Sequence, residues 1–399
     1  MAGASLVYFS FVLLGCANLV PWQTNLALAD YYAARYGSNV MEFAFPAVST
    51  SVLLLTCAVL VCFGARLSFE LRIVACTVVM AAALMVVPLV DALLSLHVIS
   101  EATGFWLTMI AVSLNAMCSA SAQNALYALA SLVGDTATQA LQTGNGIVGL
   151  IAVLLRVATK LGLGFTPSVW LFSLVAAASL LFSLAGYKAV TTHDSIAATL
   201  GTHERRRSQL AVGEGGTLQQ AMLEGGAPKR VSAAATLRLV WLEAGSVFLV
   251  FFVCLTCFPG LTTSIVSTTW GLGSWYPIVL IASYNVADFV GKSLPARVRL
   301  FGRSALPCCV LCHAFFVPIF LLLVQPQLLP SWLQGDLLPV LIVAALGLCT
   351  GYIGCMCLML GAEQGRGAEE SESVGMVTSF CLMLGLSAGS NLGLFISTL

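Results

Sequence analysis

Long apolar stretches separated by short polar connections dominate this chain of 399 residues. A helix that crosses the hydrocarbon core of a bilayer needs roughly 20 mainly apolar residues. Stretches of that kind occur eleven times, at 6–28, 44–65, 72–95, 105–133, 139–163, 167–190, 236–262, 275–297, 304–326, 337–362 and 373–398. The pattern therefore predicts an all-α polytopic membrane protein with eleven transmembrane helices.

Residues 192–235 form the one long polar connection. This segment is rich in Gly, Ala and Ser, has mixed charge and lacks periodic apolar residues, so we predict a flexible linker. It divides the chain into an N-terminal six-helix bundle, 1–191, and a C-terminal five-helix bundle, 236–399. Two bundles that alternate around a site near the middle of the membrane are typical of secondary transporters.

The composition supports a lipid environment. Only 9% of the residues are charged, 59% are hydrophobic, and the mean hydropathy is +0.97. Seventeen acidic and seventeen basic residues are too few to cover the surface of a soluble protein of this length. The fourteen cysteines lie mostly inside apolar stretches, where thiols behave as small hydrophobic groups, so no disulfide framework is expected.

The basic residues predict the orientation, because cytoplasmic loops are enriched in Lys and Arg. With the N-terminus in the cytosol, only Arg35 and Lys160 lie on the outer side. The cytoplasmic side then holds Arg66, Arg72, Lys188, Arg205, Arg206, Arg207, Lys229, Arg230, Arg238, Arg297, Arg299, Arg303 and Arg366. An odd number of helices places the C-terminus outside.

Two ionisable residues lie deep inside a predicted membrane helix. Asp288 is near the centre of the 275–297 stretch, and Lys292 follows four residues later on the same helical face. Charges at this depth cost several kcal/mol and are candidates for function. The pair is interpreted as part of a substrate site or gate; the alternative is a structural ion pair that fixes helix packing.

Further polar and aromatic residues accompany this pair. Asn285 lies one turn before Asp288, where an amide and a carboxylate together offer donors and acceptors to a polar ligand. Trp22, beside a helix-interrupting proline, presents a flat surface for stacking or belongs to the interfacial aromatic belt. Gln123 and Asn124 lie well inside the fourth helix, where either a ligand or a neighbouring helix satisfies them.

Three motifs are not expected to carry chemistry. The glycine pattern at 144–149 matches a dinucleotide fingerprint but opens a membrane helix instead of following a strand. The Cys and His residues at 308–313 lack a second pair of metal ligands, and the Cys pair at 254 and 257 lies inside another span. No cofactor or metal is expected, and without a nucleophile–base cluster the chain is not predicted to be an enzyme.

Several segments, in this order along the chain, resemble those of the equilibrative nucleoside transporter family. They are Asn18-Leu19-Val20-Pro21-Trp22, Asp30-Tyr31-Tyr32, Gln123-Asn124-Ala125-Leu126-Tyr127, Leu155-Arg156-Val157-Ala158-Thr159-Lys160, Phe251-Phe252-Val253, Phe258-Pro259-Gly260, Tyr284-Asn285-Val286-Ala287-Asp288-Phe289-Val290-Gly291-Lys292, Gly351-Tyr352 and Glu369-Glu370-Ser371-Glu372. The set spans nearly the whole chain, and the Arg156–Lys160 stretch is more similar to plant and protist members.

The resemblance implies eleven helices in a 6+5, major-facilitator-like arrangement. It also implies a central cavity whose substrate-binding residues are Trp22, Leu26, Gln123, Asn285 and Asp288, with Asp288 and Lys292 forming a gating ion pair. Many members carry arginine at the position of Lys292, and lysine lacks the planar, bidentate geometry of arginine. This departure bears on the range of substrates.

The predicted function is transport of nucleosides such as adenosine or uridine by alternating access, either facilitative or coupled to protons. The alternatives are a transporter of nucleobases or other small polar metabolites, and a membrane receptor or scaffold that does not transport. The expected partners are the nucleoside, the lipid bilayer and, for coupled transport, protons, with no nucleic acid. The expected location is the plasma membrane, with a vacuolar or other endomembrane as the alternative.

Overall fold

The computed structural model describes residues 2–28, 32, 35–36, 38–63, 67–162, 165–193, 196–198, 200–201, 232–330 and 333–397. The secondary structure within these ranges is helical, as the apolar pattern predicts. Most of the predicted linker 192–235 lies outside the described ranges, and a short helix, Ala233–Leu239, begins before its predicted end.

The N-terminal half contains long helices joined by short turns. These are α1 (Ala2–Ala27), α2 (Ser38–Phe63), α3 (Leu71–Ser95), α4 (Glu101–Val133), α5 (Asp135–Gly162) and α6 (Phe165–Thr192). Helix α3 starts with a π-helical turn, Leu71–Ala75. A single residue, Gly134, separates α4 from α5, and its φ of 133° is a conformation that glycine adopts without strain. The boundary between the predicted stretches 105–133 and 139–163 thus lies at Gly134.

The C-terminal half continues the same architecture. Its helices are α7 (Trp241–Leu261), α8 (Tyr276–Ser293), α9 (Arg303–Val324), α10 (Leu337–Ala362) and α11 (Ala368–Ser397). Helix α8 ends four residues before the predicted span does, where Leu294–Ala296 tightens into a 3-10 turn around Pro295.

Nine of these helices, within the described ranges, are long and apolar enough to cross a membrane. A shorter apolar helix, Val48–Val61, lies inside α2. The 18-residue α8, which carries Asp288 and Lys292, is not one of the nine. The chain is thus a multi-pass membrane protein, as predicted, and the count of eleven spans stays a prediction.

The helices pack both within each half of the chain and between the halves. Within the N-terminal half, α1 packs on α5 and α6, and α3 packs on α4 and α6. Within the C-terminal half, α8 packs on α10, and α7 packs on α11. The halves touch where α5 meets α8 and where α11 meets α2 and α4. These contacts bring the candidate residues of α8 against the N-terminal half.

The first residue of the predicted 72–95 stretch is buried. Arg72, counted above with the cytoplasmic basic residues, lies in the π-helical turn of α3 and is only 1% exposed. Its guanidinium group donates a hydrogen bond to the side-chain oxygen of Asn124 in α4. A charge at the edge of an apolar stretch is thus buried here, because a polar partner on a neighbouring helix satisfies it.

Candidate functional site

Helix α8 presents the polar residues Asn285, Asp288 and Lys292 along one face. Their spacing of three and four residues places the side chains above one another. All three are buried, with exposed fractions of 4%, 5% and 7%. Helix α8 packs against both α10 and α5. The sequence prediction that these residues share a face is therefore confirmed.

The charges of Asp288 and Lys292 neutralise each other. The ammonium group of Lys292 donates to Oδ2 of Asp288 over 2.6 Å. The other carboxylate oxygen, Oδ1, is buried and accepts no hydrogen bond from any residue that the structure describes. A buried acceptor without a donor costs free energy until a ligand or water supplies one. The pair is thus stable as a pair and retains an acceptor for a polar ligand.

Asn285 faces the N-terminal half across a glycine. Its Nδ2 donates to the carbonyl of Ile281 one turn earlier, at 3.0 Å. A Cβ atom added to Gly149 of α5 would lie 2.5 Å from Oδ1 of Asn285 and 3.2 Å from Nε2 of Gln23 in α1. Two side-chain amides from opposite halves therefore meet at Gly149. We did not predict Gln23 as a site residue, although it follows Trp22 directly in the sequence.

Leu26 and Trp22, the two predicted site residues of α1, have different surroundings. Leu26 packs against the apolar cluster of the C-terminal half that includes Phe258 and Tyr284. These two rings stack with their centroids 3.9 Å apart. Trp22 is only half-buried, and the structure describes no hydrogen bond between it and α8. Leu26 thus connects α1 to the C-terminal half, while Trp22 lies one turn earlier on the same helix.

The two polar residues of α4, Gln123 and Asn124, make different contacts. Asn124 is fully buried, and its Nδ2 lies 3.3 Å from the carbonyl of Met376 in α11 and 3.6 Å from the sulfur of Cys57 in α2. With the bond from Arg72, this amide joins four helices, which is a structural role. Gln123 is buried in α4, but within the described residues it makes no hydrogen bond with Asn285 or Asp288.

A stripe of polar and small residues on α5 lies along α8, toward the C-terminal end of α8. The α5 residues, spaced three or four apart, are Asp135, Gln139, Thr143, Gly146 and Gly149. The Gln139 side-chain nitrogen donates to the backbone carbonyl of Lys292 at 3.1 Å. A Cβ on Gly146 would lie 2.8 Å from Cα of Phe289. We call this contact, from the Asn285–Gly149 pair to the residues after α8, the α5–α8 seam.

An ion-pair cluster closes the far end of the seam. Arg299, in the turn after α8, contacts the carboxylate of Asp135 at the start of α5. The same guanidinium group donates to Glu363, beyond α10, at 2.6 Å. Arg299 is 43% exposed and its partners 29% and 37%, so solvent screens these pairs. Asp135 belongs to the N-terminal half and Glu363 to the C-terminal half, so Arg299 bridges the halves.

The glycine pattern at 144–149 lies inside α5, as predicted. Two of its three glycines, Gly146 and Gly149, lie in the α5–α8 seam. Close packing of the two helices therefore explains the motif, and a bound dinucleotide is not needed. The side chains of Arg156 and Lys160, which contribute to the family resemblance, lie outside the described residues.

Comparison with known proteins assigns the family. The family model described as "Nucleoside transporter" matches residues 108–398. Equilibrative nucleotide transporter 1 of Arabidopsis thaliana is 28% identical over 398 residues, covering 98% of this chain and 85% of the relative. Equilibrative nucleoside transporter 1 of Rattus norvegicus is 25% identical over 448 residues, covering 98% and 97%.

Solved structures support the fold. The proton:xylose symporter XylE of the major facilitator superfamily aligns with a TM-score of 0.58 at 14% identity, covering 99% of this chain and 88% of that one. The transporter FucP, in its outward conformation, aligns with a TM-score of 0.57 at 12% identity, covering 99% and 91%. At these identities the similarity shows the major facilitator fold alone. The family and the fold are those of membrane transporters and not of enzymes, and the chain belongs to the nucleoside transporter family.

Proposed function

We propose that this protein carries nucleosides across a membrane by alternating access, with its substrate site beside Asp288. The observation that carries the proposal is the buried Asp288–Lys292 pair, next to Asn285, in a chain that matches the nucleoside transporter family over 108–398. A charged pair inside a membrane helix is costly and is retained where it serves a substrate path.

The proposed site offers each part of a nucleoside a matching group. The free Oδ1 of Asp288 accepts a hydrogen bond from a ribose hydroxyl. The amides of Asn285 and Gln23 supply donors and acceptors to the edge of the base. Trp22 and Leu26 of α1 provide a stacking surface and an apolar wall. Gln123 is proposed to contact the substrate when the halves move closer.

The proposed movement is a rocking of the N-terminal half, 1–191, against the C-terminal half, 236–399, around this site. It rests on a 6+5 arrangement in which α2 and α8 also cross the membrane, giving eleven spans. The α5–α8 seam and the bridge of Arg299 to Asp135 close one end of the path in the described form. Release of substrate at that end requires the seam to part.

The proposed orientation places the N-terminus in the cytosol and the C-terminus outside, so the seam closes the cytoplasmic end. The proposed location is the plasma membrane, with the lipid bilayer as the surrounding partner. A neutral nucleoside that crosses alone carries no charge through the membrane potential, so the potential does not drive facilitative transport. Coupling to protons would require Asp288 to change its charge during the cycle.

Uptake of radiolabelled adenosine and uridine tests this function in cells that lack nucleoside transport, with and without a protonophore. Saturable uptake that the protonophore does not change supports a facilitative nucleoside carrier. Uptake that collapses with the protonophore supports proton coupling. Free nucleobases and nucleosides are also compared as inhibitors of this uptake. Inhibition by nucleobases at concentrations at which nucleosides have no effect would favour a nucleobase carrier instead. An absence of flux for every substrate in purified liposomes would favour a receptor or scaffold and refute the proposal.

A further inference from the structure

The carbonyl group of Lys292 is a second point, besides Asn285, at which the proposed substrate site touches the N-terminal half. Lys292 lies in the last turn of α8, where backbone carbonyls lose their intrahelical donors. The side-chain nitrogen of Gln139 donates to this carbonyl at 3.1 Å, and the hydroxyl of Thr143 lies 3.5 Å from it. The side chain of the same Lys292 holds Asp288. One residue thus joins the seam to the charged pair.

The side chain of Gln139 is buried and fully hydrogen-bonded. It is 1% exposed, and its side-chain oxygen accepts a hydrogen bond from Tyr8 of α1 at 3.0 Å. Its nitrogen also donates to Thr143 at 2.7 Å. Both hydrogens of the amide nitrogen and its oxygen are therefore used. When α8 moves away from α5, one buried N–H loses its acceptor, and such a loss is costly.

We infer that Gln139 is a positioning residue that couples closure of the α5–α8 seam to the geometry of the Asp288–Lys292 pair. This inference rests on the proposed alternating-access function. In the closed form, the amide fixes the last turn of α8 and with it the backbone from which the Lys292 side chain reaches Asp288. When the seam opens, that restraint disappears, so the substrate site differs between the two forms.

The neighbouring residue Gln142 offers a matched control on the same helix. Its side-chain nitrogen donates to the hydroxyl of Tyr127 at 2.6 Å, which is a bond within the N-terminal half. Gln142 is also 1% exposed. Replacing either glutamine by methionine keeps an unbranched side chain of similar length and removes one buried amide. Only the Gln139→Met variant removes a bond between the halves.

The test uses purified full-length protein in vesicles of known orientation, with wild type, Gln139→Met and Gln142→Met compared. Influx and efflux of a transported nucleoside give a KM for each direction. Loss of one inter-bundle hydrogen bond shifts the balance of the two forms, so we expect Gln139→Met to change the ratio of the two KM values about 3- to 10-fold. We expect Gln142→Met to leave that ratio within about twofold of the wild-type ratio.

Hydrogen–deuterium exchange supplies a second readout that does not depend on transport. Backbone amides in 286–302 should exchange faster in Gln139→Met than in wild type, and those in Gln142→Met should match wild type in this segment. An unchanged KM ratio with unchanged exchange overturns the inference, and so does an equal change in both variants. Wild-type protein without nucleoside flux refutes the proposed function instead, while the exchange comparison still decides whether Gln139 holds the seam.

Discussion

Lys292 and Asp288 lie one helical turn apart, with 2.6 Å between the ammonium nitrogen and Oδ2 and with side chains 9% and 7% exposed. Either charge alone would be unstable in this environment, because burial of an unpaired ion costs several kcal/mol. Together they leave α8 without net charge. The relationship explains how a polar helix is accommodated in the bundle and predicts what happens when one partner is lost.

The Asp288→Asn variant should lose both uptake and stability, because it leaves the Lys292 ammonium group buried without an anion. The expected destabilisation is about 3–5 kcal/mol. Nucleoside uptake normalised to surface protein, together with thermal unfolding of the purified variant, measures the two effects.

A double variant, Asp288→Asn with Lys292→Met, separates stability from substrate binding. It removes the unpaired charge, so thermal stability should return toward wild type, while uptake should stay at background because the carboxylate acceptor is absent. Recovery of wild-type uptake in the double variant would mean that the pair only fixes helix packing.

Gly149 keeps the space between Asn285 and Gln23 open. In Gly149→Ala the added Cβ would lie 2.5 Å from Oδ1 of Asn285, closer than side chains tolerate, so α5 and α8 must separate or Asn285 must rotate. Overpacking of this kind costs about 1–3 kcal/mol. If this cost falls on the transport cycle, we expect about a 5- to 150-fold loss of uptake at unchanged surface expression, since 1.4 kcal/mol corresponds to a factor of ten.

Gly245 of α7 provides the control for this substitution. No atom lies within 4 Å of a Cβ added there, so Gly245→Ala should raise helix stability by up to about 1 kcal/mol without affecting uptake. If Gly149→Ala transports as well as Gly245→Ala, the amides at Gly149 do not form the substrate site.

The bridge from Arg299 to Asp135 should affect transport more than the pair of Arg299 with Glu363. Only Asp135 belongs to the opposite half, so Asp135→Asn weakens the closed end, whereas Glu363→Gln weakens a contact within one half. Exposed pairs contribute about 0.2–1 kcal/mol, so a change of up to about fivefold in the maximal rate is expected for Asp135→Asn.

Uptake measured at two ionic strengths checks this prediction. Salt screens exposed ion pairs, so high salt should reduce the difference between Asp135→Asn and wild type. Equal rates for Asp135→Asn and Glu363→Gln at low salt would contradict a role of the bridge in closure.

The sequence predicted the features that depend on local spacing. Apolar stretches marked the helices, and the four-residue interval placed Asp288 and Lys292 on one face. These features follow from helical periodicity, so one sequence is enough to find them.

Contacts between distant residues were not predictable in the same way. Gln139 and Lys292 are 153 positions apart, and no local pattern relates them. The burial of Arg72 depends on Asn124 from another helix, so the local sequence did not predict it. The positions of Trp22 and Gln123 relative to Asp288 depend on how helices that are distant in the sequence pack, which no local pattern encodes.

Asp336 should stabilise the loops at the start of α10 in a pH-dependent manner. Its carboxylate accepts hydrogen bonds from the hydroxyl of Ser267 at 2.7 Å and from the backbone N–H groups of Thr268 at 2.6 Å and Trp270 at 2.7 Å. Burial acts to raise the pKa of Asp336, but these donors outweigh it and hold the pKa well below its ordinary value. The folded state therefore favours the ionised carboxylate.

A depressed pKa gives a stabilisation that is complete above the unfolded value of about 3.9 and is lost as the pH falls through the folded pKa. At pH 7, Asp336→Asn should lower the free energy of unfolding by about 2–3 kcal/mol, because an amide cannot satisfy these donors as a carboxylate does. The difference from wild type should shrink below about pH 4.

Ser267→Ala, which removes one donor and keeps the charge, should show a smaller loss at pH 7. Thermal unfolding between pH 3 and 8 measures all three proteins, and a difference that stays constant across that range would show that the ionised carboxylate is not the stabilising group.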